Sequence, residues 1–358
     1  MRVVIATTQL PLVQGGAEYQ AEGLVAALVA AGHEAEVIKI PENGRAPDRV
    51  TGDWAPPEQL EAAIRFCLNL DLSSCAGKKI DRLIGFKFPA YLISHPQKVQ
   101  WILHQQRWLY DLWSRFASQI PVDSAWLKFR DTVHRIDAEY IPRARAVFAT
   151  SRNVANRLKR YNGIDAFPLY HPPPLAGQYY CAPADEHLFL PSRICYLKRH
   201  ELVLDALART KRPVTVMFAG TADDPKYGRL LMRRAEELKV NKQCVWLGWV
   251  SEEEKIRLYS RCLGVVYPPY DEDLGYVTLE AMLASKPVIT CTDSGGPLEF
   301  VRHEESGLIC NPTPKDLAAA MDMLWKERTL AESMGRAGRK RYLDLNLSWS
   351  SVVEKLLC

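Results

Sequence analysis

The stretch YPPYDEDLGYVTLEAMLASKPVIT, Tyr267 to Thr290, decides how the chain is read. It opens on an acidic knot, Asp271-Glu272-Asp273, passes one glycine, Gly275, and becomes a mostly apolar run that keeps a lone glutamate, Glu280. LGVVYP before it and PVIT inside it are short apolar runs of the kind that form buried parallel strands. Strand, loop, helix and strand make up the unit of a doubly wound sheet, whose ligands bind beyond the carboxyl ends of the strands, where helix N-termini point. In that frame the first strand ends near Pro268, Glu272 lies in the loop over its end, and a helix starts near Gly275. Glu280 falls about one and a half turns into that helix. Gly275 lets a ligand group approach the backbone at the positive helix end. Carboxylates accept from pairs of hydroxyls, so Glu272 and Glu280 suit a sugar or ribose better than a phosphate.

The alternation continues in both directions. RVVIATT reads as a buried strand, VQGGAEY as a Gly-rich turn, the run from Tyr19 to Ala31 as an amphipathic helix stopped by Gly32, and EAEVIKI as the next strand. Further strands are expected at Asp81–Phe86, Val99–Leu103 and Arg145–Ser151, with helices over Pro57–Leu70 and parts of Leu109–Tyr140. At FPLYHPPPL, Phe167 to Leu175, three consecutive prolines break the pattern and predict a linker. A second series follows: HLFLPSR, a helix near Glu201–Arg209, VTVMFAG, a helix near Tyr227–Leu238, and CVWLG. Ser251 and Glu254 then form a capping-box pattern. The expected architecture is α/β, with two Rossmann-like doubly wound domains facing each other across a cleft.

Length and composition agree with two soluble domains: 358 residues, 47% hydrophobic and 25% charged. LVAALVAA is far shorter than the roughly 20 apolar residues of a membrane span. The N-terminus lacks the apolar length of a secretory signal. Nine scattered cysteines without a C-x-x-C pair argue for free thiols in a reducing cytoplasm rather than a zinc site or disulfides. A net charge of +4 makes no case for nucleic acid. Charge is uneven, however: Lys98–Arg160 carries about 12 basic against about 5 acidic residues. Trp101, Trp108, Tyr110, Trp113, Phe116, Trp126 and Phe129 are interleaved with them. Two readings stand: helices with solvated basic faces over buried aromatics, or peripheral docking to an anionic membrane or phosphorylated acceptor.

EDLGYVTLEA resembles the E-x7-E element of the retaining family 4 glycosyltransferases of the GT-B fold, with Glu272, Gly275, Glu280 and Ala281 in register. KPVITCTDSGGPLEFV resembles the same family's next strand, Gly-rich loop and helix. LPSRICYLKRH resembles its G-R-x-x-x-x-K-G segment, with Arg193 and Lys198 at that spacing. Ser192 stands in place of the glycine before the arginine and Arg199 in place of the one after the lysine. The resemblance implies that Arg193 and Lys198 clamp a donor diphosphate. It places Glu272 on the sugar hydroxyls and Glu280 on the ribose, with Asp273, Leu274, Gly275 and Tyr276 lining the donor. CVWLGWV resembles the segment whose backbone, at Trp249 and Val250, brackets the nucleotide base; as an alternative, Trp246 and Trp249 belong to the core. QGGAEY resembles the N-terminal glycine loop, where Gly15 and Gly16 let backbone N–H groups approach donor phosphate or acceptor; any tight turn can also use two glycines. His104 stands where the family commonly touches the donor sugar, although a lone histidine also suits packing. The last segment resembles a helix crossing back to the first domain, anchored by Trp349 and Leu356.

The implied domains are residues 1–170 on the acceptor side, 171–343 binding the nucleotide sugar, and 344–358 as the returning helix. The implied reaction moves a hexose-type sugar from a nucleotide diphosphate to an acceptor hydroxyl with retention, and requires no metal or cofactor. The basic aromatic segment points to cell-surface polysaccharide or glycolipid assembly, in the cytoplasm or peripherally at the inner membrane face, with a small soluble acceptor as the alternative. Three other readings remain. Asp271–Asp273 also fits a D-x-D metal motif, though late in the chain. An NAD-dependent oxidoreductase lacks its G-x-G-x-x-G. A non-catalytic nucleotide-sugar binding protein is the third.

Overall fold

The computed structural model describes residues 1–9, 15–41, 57–75, 77–118 and 123–358. The chain forms two compact units, the second running from Pro172 to Leu347 and the first including both the N-terminal part up to His171 and Ser348–Cys358.

The first unit is built on a six-stranded sheet. Its strands are β1 (Arg2–Gln9), β2 (Glu34–Pro41), β5 (Arg82–Lys87), β6 (Lys98–His104), β7 (Val147–Ala149) and β8 (Phe167–Pro168), with a small hairpin of β3 (Ser74–Cys75) and β4 (Lys78–Lys79) to one side. The sheet order is β2-β1-β5-β6-β7-β8 and every pairing in it is parallel. The inner strands β1, β5 and β6 are buried on both faces and read as mostly apolar runs. Residues 10–14, which include Val13 and Gln14 of the predicted Gly-rich turn, lie outside the described residues. The returning helix, Trp349–Leu357, shares a core with the first helix, Gly16–Ala30, through Leu24, Leu28, Val352, Val353 and Leu356. Leu356 is fully buried, whereas Trp349 is only partly so. Gly23 makes room for the Trp349 indole, since a Cβ there would lie 2.3 Å from Cζ2.

One expectation is corrected in this unit, and one alternative left open by the sequence is decided for the aromatics. Phe167–Pro168, read as linker, is the edge strand β8, paired with Phe148 and Ala149. A proline lacks the ladder donor but is tolerated at an edge, and the ladder continues as Leu169 N donates to Ala149 O at 2.8 Å. The aromatics of the basic segment do not form a surface: Trp101, Trp108, Tyr110, Phe116, Trp126 and Phe129 are all buried. Trp108, Phe116 and Trp126 pack ring against ring. Beneath them the fully buried Asp137 accepts from the Tyr91 hydroxyl at 2.9 Å and the Tyr110 hydroxyl at 2.7 Å. Burial pushes its carboxyl up to about 7, against the pull of the two hydroxyls.

The second unit carries β9 (His187–Pro191), β10 (Thr215–Ala219), β11 (Cys244–Gly248), β12 (Gly264–Val266), β13 (Val288–Cys291) and β14 (Gly307–Cys310). Their order is β11-β10-β9-β12-β13-β14, all parallel. Counted within the unit, that is third, second, first, fourth, fifth, sixth. The winding therefore reverses between β9 and β12, where a doubly wound sheet opens its ligand crevice. The capping pattern at Ser251 forms by half: its hydroxyl accepts from Glu254 N at 3.1 Å, but the Glu254 carboxylate turns to Arg257. Strand β14 and the helices Pro314–Lys326 and Arg328–Asp344 complete the unit. Among the described residues no helix is long and apolar enough to cross a membrane.

Candidate active site

Loops after β9 and β12, the two strands flanking the reversal, hold the decisive pair. Lys198 donates to Glu272 Oε2 at 2.6 Å and to the Tyr267 hydroxyl at 2.9 Å. Both partners are largely buried, with side chains 13% and 19% exposed. Burial pushes the Lys198 ammonium down, but Glu272 and Tyr267 outweigh it and hold it above its ordinary value. His200 is fully buried two residues on; burial takes its imidazole down to about 3, with Lys198 adding to the effect, so it is neutral at pH 7.

The Glu272 loop is fixed by backbone. Asp271 N donates to Asp293 O, Glu272 N to Ser294 O, and Gly296 N back to Glu272 O, at 2.8–2.9 Å. Gly296 permits the contact: a Cβ there would fall 2.5 Å from Leu274 O and 2.8 Å from Asp273 O. Gly275 takes φ +84° and caps the helix Tyr276–Leu283, so the chain turns into the helix with its first N–H groups at the strand ends. Leu274 is buried; Asp273 and Tyr276 are half-buried. Arg199, which stands where a glycine was expected, has φ +54°. The backbone there is left-handed, the geometry that favours glycine. Its guanidinium grips Asp293 with two bonds, at 2.7 and 2.5 Å, and lies 5.0 Å over the Tyr270 ring.

The other expected residues have partners of their own. Arg193 reaches a different carboxylate, Asp223, at 2.5 Å. Its loop closes on Gly220, where a Cβ would lie 2.1 Å from Ser192 O. Glu280 does sit in the helix, with its side chain 6% exposed; Lys255 lies 3.3 Å from one oxygen and the Tyr259 hydroxyl donates to the other at 2.6 Å. Trp249 is 77% exposed at the end of β11, so it is no core residue, while Trp246 stacks on Phe218 with ring centroids 4.4 Å apart. Val250 follows Trp249, half-buried. In the first unit, His104 ends β6 with Nδ1 2.6 Å from Gln105 O. Gly15 caps the first helix and Gly16 begins it; the Gly15 N–H donates to Glu18 at 2.9 Å, so that donor is engaged within the turn rather than offered to a phosphate. Tyr267, Asp293, Asp223, Lys255 and Tyr259 escaped the sequence reading. Each is a partner chosen by three-dimensional register, and only the position of Tyr267 at a strand end gave a local hint. Among the described residues no group of three or more His, Cys, Asp and Glu side chains is placed to hold a metal ion.

Three cation–carboxylate pairs thus line the carboxyl edge of one sheet: Arg193–Asp223, Lys198–Glu272 and Arg199–Asp293. Cations and helix N–H groups are suited to phosphate oxygens, and carboxylates to hydroxyls. Sucrose-phosphate synthase from Thermosynechococcus elongatus superposes with a TM-score of 0.78 at 19% identity, over 99% of this chain and 97% of that one. WaaG, a glycosyltransferase involved in lipopolysaccharide biosynthesis, superposes with 0.69 at 16% identity, over 100% and 98%. The fold is GT-B. Within this GT-B chain, residues 183–341 match the family model of glycosyl transferases group 1. That segment contains Arg193, Lys198, Trp249, Glu272 and Glu280. Mouse alpha-1,3/1,6-mannosyltransferase ALG2 is 34% identical over 136 residues, which is 37% of this chain and 32% of that protein. D-rhamnosyltransferase WbpZ of Pseudomonas aeruginosa is 30% identical over 153 residues, 42% of this chain and 39% of that protein. The GT-B chain therefore spans between 32% and 39% of the length of these curated relatives.

Proposed function

We propose that this protein is a retaining glycosyltransferase that moves a hexose-type sugar from a nucleotide diphosphate sugar to an acceptor hydroxyl in glycan assembly. The carrying observation is the Lys198–Glu272 pair at the winding reversal, inside the segment that matches glycosyl transferases group 1. Lys198, Arg193 and the helix start at Gly275 neutralise the departing diphosphate; removing such a donor from developing charge costs about 10²–10³ in rate. Glu272, already oriented by Lys198, accepts from sugar hydroxyls, and Glu280 from the ribose. Trp249 and Val250 bracket the base. The first unit takes the acceptor. A leaving phosphate oxygen accepts the acceptor's proton, so neither a second carboxylate nor a metal is required. The names of the relatives favour a donor sugar of manno configuration, which mannose and D-rhamnose share.

The test is transfer or hydrolysis of labelled GDP-mannose, UDP-glucose and UDP-N-acetylglucosamine, with and without chelator. Turnover of one donor, highest for GDP-mannose and indifferent to chelator, is expected. No turnover or binding across the panel refutes the proposal. Chelator-sensitive activity restored by manganese refutes its metal-free form. An anionic membrane as partner now rests on exposed basic residues such as Arg135, Arg143, Arg145 and Arg160 alone, and co-sedimentation with anionic vesicles at low salt decides it.

A further inference from the structure

Glu280 poses a problem of charge. Its side chain is 6% exposed, and every residue from Val277 to Leu283 around it is buried. An ionised carboxylate at that depth is costly unless a cation stands against it. The neighbouring helix, Glu252–Arg261, supplies one. Lys255 Nζ lies 3.3 Å from Glu280 Oε1, is itself only 16% exposed, and also meets Glu252 at 2.8 Å. One turn further along the same helix face, the Tyr259 hydroxyl donates to Glu280 Oε2 at 2.6 Å. The other cations of this helix are committed elsewhere, Arg257 to Glu254 and Arg261 to Asp185. Burial pushes the Lys255 ammonium down, and Glu280 and Glu252 outweigh it.

We infer that Lys255 and Tyr259 are positioning residues for the donor's ribose: together they hold and aim the Glu280 carboxylate, so that it accepts from a vicinal diol. The inference rests on the ribose role proposed for Glu280. A carboxylate offers about four acceptor directions, and the two donors occupy one on each oxygen. The remaining directions are available to two ribose hydroxyls. Without the ammonium, one carboxylate oxygen loses the donor that fixes its direction, and the group is no longer aimed at the diol. The nucleotide then loses what its hydroxyls contributed, while contacts to base and diphosphate persist.

Calorimetric titration of the full chain with GDP and UDP, and with their 2′,3′-dideoxy counterparts, tests this. Wild-type protein is expected to prefer the ribo form of its nucleotide. Lys255→Met should weaken the ribo form roughly tenfold, as for a lost hydrogen bond to a charged group, and change the dideoxy form by less than about twofold. Lys255→Arg should restore the preference. Should Lys255→Met fail to fold, Tyr259→Phe carries the test, with a roughly threefold loss confined to the ribo form. Equal losses for ribo and dideoxy forms, or an unchanged preference in a folded Lys255→Met or Tyr259→Phe protein, overturn the inference. A wild-type protein that binds nucleotide but is indifferent to the hydroxyls overturns the ribose role of Glu280, and this inference with it. One that binds neither nucleotide counts against the proposed function as a whole.

Discussion

Replacing Lys198 with methionine separates two roles of one ion pair. The substitution keeps the stem and removes the charge, so Glu272 loses a cation 2.6 Å away. Breaking one partner of a buried pair costs about 3–5 kcal/mol. Glu272 retains 19% exposure and some access to water, which lowers the expected cost below that range, to about 2–3 kcal/mol. For a unit of this size each kcal/mol moves Tm by roughly 2–4 °C, so a fall of about 4–12 °C is expected. The double variant Lys198→Met/Glu272→Gln removes both charges and should recover most of that loss. Turnover behaves differently. The leaving diphosphate loses its cation in the single and in the double variant alike, and each should fall by about 10²–10³. The assays are differential scanning fluorimetry and transfer of a labelled donor at saturation. A Lys198→Met protein with unchanged Tm refutes the structural reasoning. A double variant that regains turnover along with stability refutes the catalytic reasoning, because Lys198 would then act only as a counter-ion to Glu272.

Gly296→Ala should push the Glu272 loop off its neighbour, since its Cβ has 2.5 Å to Leu274 O; circular dichroism should report a folded protein with lowered Tm, and nucleotide titration a clear loss of affinity. Trp249→Ala, at a side chain 77% exposed, should leave Tm unchanged in differential scanning fluorimetry and nucleotide affinity nearly so, because the backbone there, not the indole, meets the base. Asp137 gives the first unit a pH signature. Its folded-state pKa of about 7 lies above the unfolded value near 3.8, so the folded state binds the proton more tightly. Stability is therefore full below about 4 and declines as pH rises to about 7, by at most about 4 kcal/mol. Urea titrations followed by tryptophan fluorescence should show that slope in the wild type and its loss in Asp137→Asn.

Much of the second unit was legible because its inner strands β9, β12 and β13 are buried on both faces and so appear as apolar runs ended by loops. The edge strand Phe167–Pro168 was not, because two residues beside three prolines carry no period and only the neighbouring β7 makes them a strand. The aromatics of the basic segment left two readings open for a related reason: interleaving in sequence does not say which side of a helix faces the core, and Trp108, Phe116 and Trp126 found one another inside. Lys198 and Glu272 could be named because spacing within each motif is local, although their contact spans 74 residues. The Arg199–Asp293 and Lys255–Glu280 pairs could not, since a charged residue does not advertise its partner across two loops or two helices. Arg199 also shows why a glycine position need not hold glycine: at φ +54° its side chain is anchored by Asp293 and Tyr270.

The most direct test is a crystal structure of the chain with GDP or UDP bound. The account predicts diphosphate oxygens within hydrogen-bonding distance of Lys198 Nζ and of the backbone N–H groups at the start of the Tyr276–Leu283 helix, with the ribose hydroxyls on Glu280. A nucleotide bound elsewhere, with Lys198 and Glu272 still paired and touching no ligand, would contradict it.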